Sequence, residues 1–168
     1  MFLMLLVFGL AAASNVAGQQ RPAESGDQVL EGVREKTNIY PADADANKDI
    51  QAALKQAAKE KKRVLLVFGA NWCYDCHVLD RALHEGPAAE LVKQHYLLVH
   101  VNIGEGERNT DLVKAYRIPL EKGVPAAAII DADGKVLYSS GYGEFEAARR
   151  MMKKDLVAFL EYWKPAGH

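Results

Sequence analysis

The sequence predicts an α/β domain: three layers, with a central mixed β-sheet flanked by helices. Three observations predict it. Two short apolar runs rich in strand formers, "VLLVFGA" (64–70) and "YLLVHVNI" (96–103), alternate with segments of helical periodicity. Two further apolar runs flank Asp133-Gly134, the strongest hairpin signal in the chain. A strand joined through a helix to a parallel neighbour, then an antiparallel hairpin, gives a mixed sheet with helices on both faces.

The bulk numbers bound the reading. A chain of 168 residues suffices for one domain with a real core. Lys+Arg is 21 and Asp+Glu is 22, so the net charge of −1 gives no electrostatic case for nucleic acid or an anionic membrane surface. No nucleic-acid partner is expected.

Residues 1–18, "MFLMLLVFGLAAASNVAG", carry no charged side chain. Residues 1–10 fit the apolar core of a secretory signal, and Val16-Ala17-Gly18 fits its small-residue cleavage site. Ser14 and Asn15 interrupt the run well before the about 20 apolar residues of a membrane span. A cleaved signal and a periplasmic or other extracytoplasmic location are expected; an uncleaved N-terminal anchor is the alternative. Residues 19–45 are polar with little periodicity and read as an extension or linker, with a short helix near 29–35.

The domain is expected over 46–165. A first helix starts at a cap supplied by Asp45 or Asn47 and carries Ile50, Ala53, Leu54 and Ala57 at helical spacing. Its basic end, residues 59–63, suits the C-terminal dipole. The run 64–70 is a buried central strand. A helix begins near Cys73, with Val78, Leu79 and Leu83 inward, and a second helical piece follows Pro87. After the strand 96–103 comes a polar loop, then a helix capped by Thr110 that stops before Pro119. The hairpin follows. Residues 144–163 read as one amphipathic C-terminal helix whose stripe of Phe145, Ala148, Met152, Leu156 and Phe159 is core packing.

The stretch "GANWCYDCHVLD" (69–80) holds the only two cysteines. A bridge between Cys73 and Cys76 closes almost no loop, so its role is chemical rather than mechanical. Two chemistries share the spacing: a redox dithiol, and the C-x-x-C-H attachment of a c-type haem with His77 as proximal ligand. The dithiol reading has the better context. Cys73 stands where a buried strand gives way to a helix, and unpaired N–H groups there lower a thiol pKa from its free value of about 8.5. Cys76 is one turn further on the same face, placed to attack a mixed disulfide formed at Cys73. The haem reading needs an axial ligand from Met151 or Met152, which the C-terminal helix already uses. A structural zinc site needs four N/S ligands, and there is no second cysteine pair.

Trp72-Cys73-Tyr74-Asp75-Cys76 resembles the W-C-x-x-C motif of the thioredoxin family. "KGVPA" (122–126) is similar to the family's segment around its cis-proline, with Pro125 on that proline. The resemblance runs from about residue 47 to 163. It is nearest to exported thioredoxin-like proteins, including the C-terminal domain of the bacterial periplasmic thiol:disulfide interchange reductase. It implies the thioredoxin fold and a thiol:disulfide oxidoreductase that reduces protein disulfides. Cys73 attacks, Cys76 resolves, and Trp72, Tyr74, Val124 and Pro125 form the docking surface. No bound cofactor and no metal are implied. The expected partners are protein disulfide substrates and a membrane or soluble reductant donor; a monomer is expected.

The chain also departs from the family. Val67 stands where the family buries an acidic residue, and His100 aligns with that residue's lysine partner. His100 is thus a candidate substitute acid/base near Cys76, or a histidine half-buried on the sheet. Asp75 places a negative charge beside the thiolate, which disfavours it and predicts a reducing couple. His77, if protonated, opposes this, and its plain reading is a partly exposed residue of the helix's first turn. Two alternatives stay open: a thioredoxin-like binding or chaperone module with a non-catalytic dithiol, and a haem or metal carrier using Cys73, Cys76 and His77.

Overall fold

The computed structural model describes residues 28–33 and 37–167. The expected signal, residues 1–18, lies outside them. Four strands form one mixed sheet in the order β2-β1-β3-β4, with β1 at Arg63–Gly69, β2 at Tyr96–Asn102, β3 at Ala126–Ile130 and β4 at Val136–Ser139. Strand β1 runs parallel to β2 and antiparallel to β3, and β3 and β4 form the expected hairpin. Its turn is built by Asp131, whose Oδ1 accepts from the N–H groups of Asp133 and Lys135, while Gly134 takes a left-handed φ of 83°.

The central strand is buried on both faces, as a parallel neighbour requires. Val64, Leu66 and Phe68 pack under α1 (Ala46–Glu60) and α4 (Thr110–Ala115). Leu65 and Val67 pack under α2 (Tyr74–Leu83), α3 (Gly86–His95) and α5 (Lys153–Tyr162). Three layers result. Helix α1 is capped by Asp45, which accepts from Lys48 N–H at 3.1 Å.

Four local expectations are corrected. Helix α4 starts after Asn109 rather than on a Thr110 cap, and it ends at Ala115. The C-terminal segment is not one helix: a 3-10 turn at Ala148–Arg150 precedes α5, and Met151 and Met152 between them are extended. Their backbone is used elsewhere. Leu30 N–H donates to Met151 O at 2.8 Å, Lys153 N–H donates to Gln28 O at 2.7 Å, and Val29 bridges Met152. Residues 28–33 are therefore not helical where a short helix was expected; residues 34 and 35 of that span lie outside the described residues. Nor does the described part of the extension behave as a linker. Leu30 is 4% exposed within the α2/α5 core, and Tyr40 is 1% exposed beside the cysteines.

Candidate active site

Strand β1 ends at Gly69, whose carbonyl accepts from Ile103 N–H at 2.9 Å. The chain then turns through Ala70-Asn71-Trp72, and Cys73 caps α2. Cys76 N–H donates to Cys73 Sγ at 3.1 Å, the bond that a capping serine or aspartate would otherwise supply. Cys73 and Cys76 are joined as a disulfide. Cys73 is 5% exposed and Cys76 is fully buried, so an incoming sulfur reaches Cys73 first.

The second expected segment closes over the pair. The Val124–Pro125 peptide bond is cis, Pro125 is buried, and Val124 O stands 3.4 Å from Cys73 Sγ. Trp72, half exposed, pins its indole N–H to Gly104 O at 2.9 Å. Tyr74 is also exposed, and its hydroxyl lies against Gly32 of the N-terminal segment. Trp72 and Tyr74 are thus the exposed chain neighbours of Cys73, and the half-buried Val124 lies against its sulfur.

The three tuning candidates come out differently. Asp75 is buried, 6% exposed, and its carboxylate accepts from Arg149 N–H at 2.8 Å and from the Arg149 guanidinium. Its charge is compensated on the spot, so it cannot act as an unpaired negative charge beside Cys73. The argument from Asp75 to a reducing couple is corrected accordingly. His77 is not partly exposed but 3% exposed, with Nε2 2.9 Å from Asn71 O. A carbonyl only accepts, so Nε2 carries the proton and is taken. His77 is thus held inside the fold, with the nitrogen that a haem attachment would need turned to the Asn71 carbonyl.

His100 pairs with Val67 across β1 and β2, in the alignment expected. Its Nε2 lies 2.9 Å from Asp80 Oδ1, and its ring meets Tyr40 edge-on at 5.1 Å. It therefore meets the cysteines through Tyr40 and is paired with Asp80 rather than with a sulfur. Burial alone would raise the Asp80 carboxyl. The hydrogen bond and charge of His100, with the charges of His84 and His77, outweigh it and hold Asp80 below the usual carboxylate range.

Sequence reasoning missed Tyr40, Asn71, Asp80 and Arg149. Asn71 clamps the backbone of Tyr40 from both sides: Tyr40 N–H donates to Asn71 Oδ1 at 3.0 Å, and Asn71 Nδ2 donates to Tyr40 O at 2.8 Å. Asn102 Nδ2 adds a bond to the same carbonyl at 3.0 Å. Two signals were readable. Asp80 is four residues beyond Cys76, hence on the same helix face. Tyr40 is an aromatic residue before a proline in an otherwise polar stretch. Arg149 lies far from Asp75 in sequence and left no signal.

A thioredoxin-like family model matches residues 45–132, over half of the chain. A disulphide isomerase from Xylella fastidiosa Temecula1 is similar in structure at 36% identity. The match covers 73% of this chain and 94% of that one, with a TM-score of 0.69. The oxidised C-terminal domain of DsbD from Neisseria meningitidis shares the fold at 18% identity, over 71% of this chain and 94% of that one, with a TM-score of 0.50. No curated protein matches by sequence. The chain belongs to the thioredoxin-like family. Its fold and its Cys73/Cys76 pair define a thiol:disulfide oxidoreductase.

Proposed function

We propose that the chain reduces protein disulfides outside the cytoplasm, taking electrons from a reductant-donor protein. Cys73 attacks the substrate disulfide and Cys76 resolves the mixed disulfide. Trp72, Tyr74, Val124 and Pro125 form the docking rim. The observation that carries this reading is the accessibility order of the pair: Cys73 caps α2 under the Val124–Pro125 loop, with Cys76 fully buried one turn behind it. The similar Xylella protein, a disulphide isomerase by name, supports protein disulfides as the substrate class. An apolar first segment, residues 1–18, supports export. Among the described residues no helix is long and apolar enough to cross a membrane.

The reducing direction is supported by what surrounds Cys73 Sγ. Its near polar contacts among the described residues are backbone groups: Cys76 N–H, which favours a thiolate, and Val124 O, which opposes it. A thiolate held by a backbone N–H but facing no cationic side chain among the described residues is less stabilised than one beside a cation, and a less stabilised reduced form means a more reducing couple. The test is an equilibrium titration of the dithiol against a glutathione or dithiothreitol buffer. A potential near about −270 mV is expected, whereas one near about −120 mV would make the chain a disulfide donor. Cys73→Ser should abolish exchange. Cys76→Ser should accumulate a mixed disulfide with substrate, visible on a non-reducing gel. A Cys73→Ser protein that keeps its full biological effect would replace catalysis with a binding role.

A further inference from the structure

Tyr40 carries a buried polar group without a partner among the described residues: the residue is 1% exposed and none of them satisfies its hydroxyl with a hydrogen bond. Native proteins rarely leave such a group unpaired, because it has lost its water and gained nothing. The hydroxyl lies near Cys76. Both its oxygen and Cys76 Sγ lie 2.6 Å from the point where a Cβ on Gly69 would stand, so the bare α-carbon of Gly69 leaves the space into which both project. The placement is held by the backbone clamp from Asn71 and Asn102. The neighbouring His100 does not claim the hydroxyl: its ring meets Tyr40 in a T-shaped contact, and its Nε2 is on Asp80. Burial first, then the charge of Asp80, push the Tyr40 pKa above its usual range, so the group keeps its proton at neutral pH and is available as a donor.

A disulfide sulfur is a weak acceptor, whereas a thiolate is a strong, charge-assisted one. We propose that Tyr40 is a redox-dependent hydrogen-bond donor to Cys76, unpaired in the disulfide form and donating to the Cys76 sulfur once the pair is reduced. This rests on the reading of Cys73 and Cys76 as the exchanging dithiol. In the resolving step the Cys76 thiolate attacks Cys73 Sγ, and the bond from Cys73 to the substrate sulfur breaks. The substrate sulfur leaves with the bonding pair and takes up the proton that Cys76 gave up. Tyr40 keeps its own proton throughout. It stabilises the attacking thiolate, and it favours the reduced form over the oxidised form, in which its hydroxyl is stranded.

Tyr40→Phe removes one oxygen and leaves the ring in place. Equilibrated with glutathione, the variant should favour the disulfide about tenfold more than the wild-type chain, a potential about 30 mV more negative. In a Cys73→Ser background, adding Tyr40→Phe should make the Cys76 thiol titrate higher. Disulfide exchange should persist, with slower resolution of the mixed disulfide. A purely structural Tyr40 would change the stability of both redox forms alike. An unchanged equilibrium constant and Cys76 titration, with exchange intact, would therefore overturn the assignment and leave the proposed function standing. Loss of exchange in the wild-type chain itself would instead overturn the reading beneath it. If the variant does not fold, the wild-type chain decides: the Tyr40 hydroxyl proton should become protected and shift downfield in the NMR spectrum on reduction. A proton that behaves identically in both redox states would sink the proposal.

Discussion

Asp75 sits between the two cysteines in sequence and against Arg149 in space. Its charge belongs to an ion pair that ties the first turn of α2 to the 3-10 turn at Ala148–Arg150. It acts on the fold more than on the thiolate. Replacing it with asparagine, Asp75→Asn, should weaken two hydrogen bonds to a charged partner. Arg149 is half exposed, so water recovers much of the loss, and a cost of about 1 kcal/mol is expected in chemical denaturation. The dithiol equilibrium should move less than about threefold, within about 15 mV. A shift of several tens of millivolts would restore Asp75 as a tuning residue. His77 makes the parallel point. A histidine directly behind C-x-x-C reads as a ligand, but its Nε2 is committed to the Asn71 carbonyl.

At the scale of elements, α2 needs a fixed distance from β1. The link is Gly69, the last residue of the strand, where any side chain would meet Cys76 Sγ and the Tyr40 hydroxyl at 2.6 Å. Its backbone φ is ordinary, so the requirement is space and not conformation. Gly69→Ala must push Tyr40 or α2 away, and overpacking of this kind costs about 1–3 kcal/mol. Thermal unfolding of the oxidised chain checks it; a variant as stable as wild type would show that Tyr40 yields freely. The elements themselves were largely legible, because the burial of each follows its own periodicity. Strand β1 alternates between two cores, and Val78, Leu79 and Leu83 all turn inward as their helical spacing predicts. The C-terminal segment departs from its own pattern for a physical reason. Residues 144–163 have helical periodicity, but the carbonyl of Met151 and the N–H of Lys153 pair with residues 28–30. A tertiary pairing overrode a local preference, and no local pattern announces it.

Over the whole molecule, the N-terminal segment is the part that most changes the picture. Residues 28–33 add an edge pairing beside α5, and residues 38–41 lie over the end of β2 and the active-site loop. That layout buries Tyr40 beside Cys76 and sets its ring against His100, which pairs with Asp80. The pair links α2 to β2, so its protonation bears on global stability. A carboxyl held below its usual range in the folded chain contributes stability that is present above about pH 3.9 and is lost as the pH falls through its lower folded value. Denaturant midpoints between about pH 6 and pH 3 should therefore fall less steeply in Asp80→Asn than in wild type. Equal slopes would assign the acid sensitivity to other carboxylates. The sequence by itself determined the mixed sheet, the order of its strands along the chain, and the position of Cys73 at a strand-to-helix junction. Those follow from periodicities of two and 3.6 residues and from a motif contained in a few consecutive positions. Only the tertiary structure decided the electrostatics of the site: that Asp75 is compensated, that His77 is spent on a carbonyl, and that Cys76 faces a tyrosine from the extension. Charge and hydrogen bonding act over a few ångströms in space, and the partners that hold Tyr40 and Asp75 lie 31 and 74 residues away along the chain.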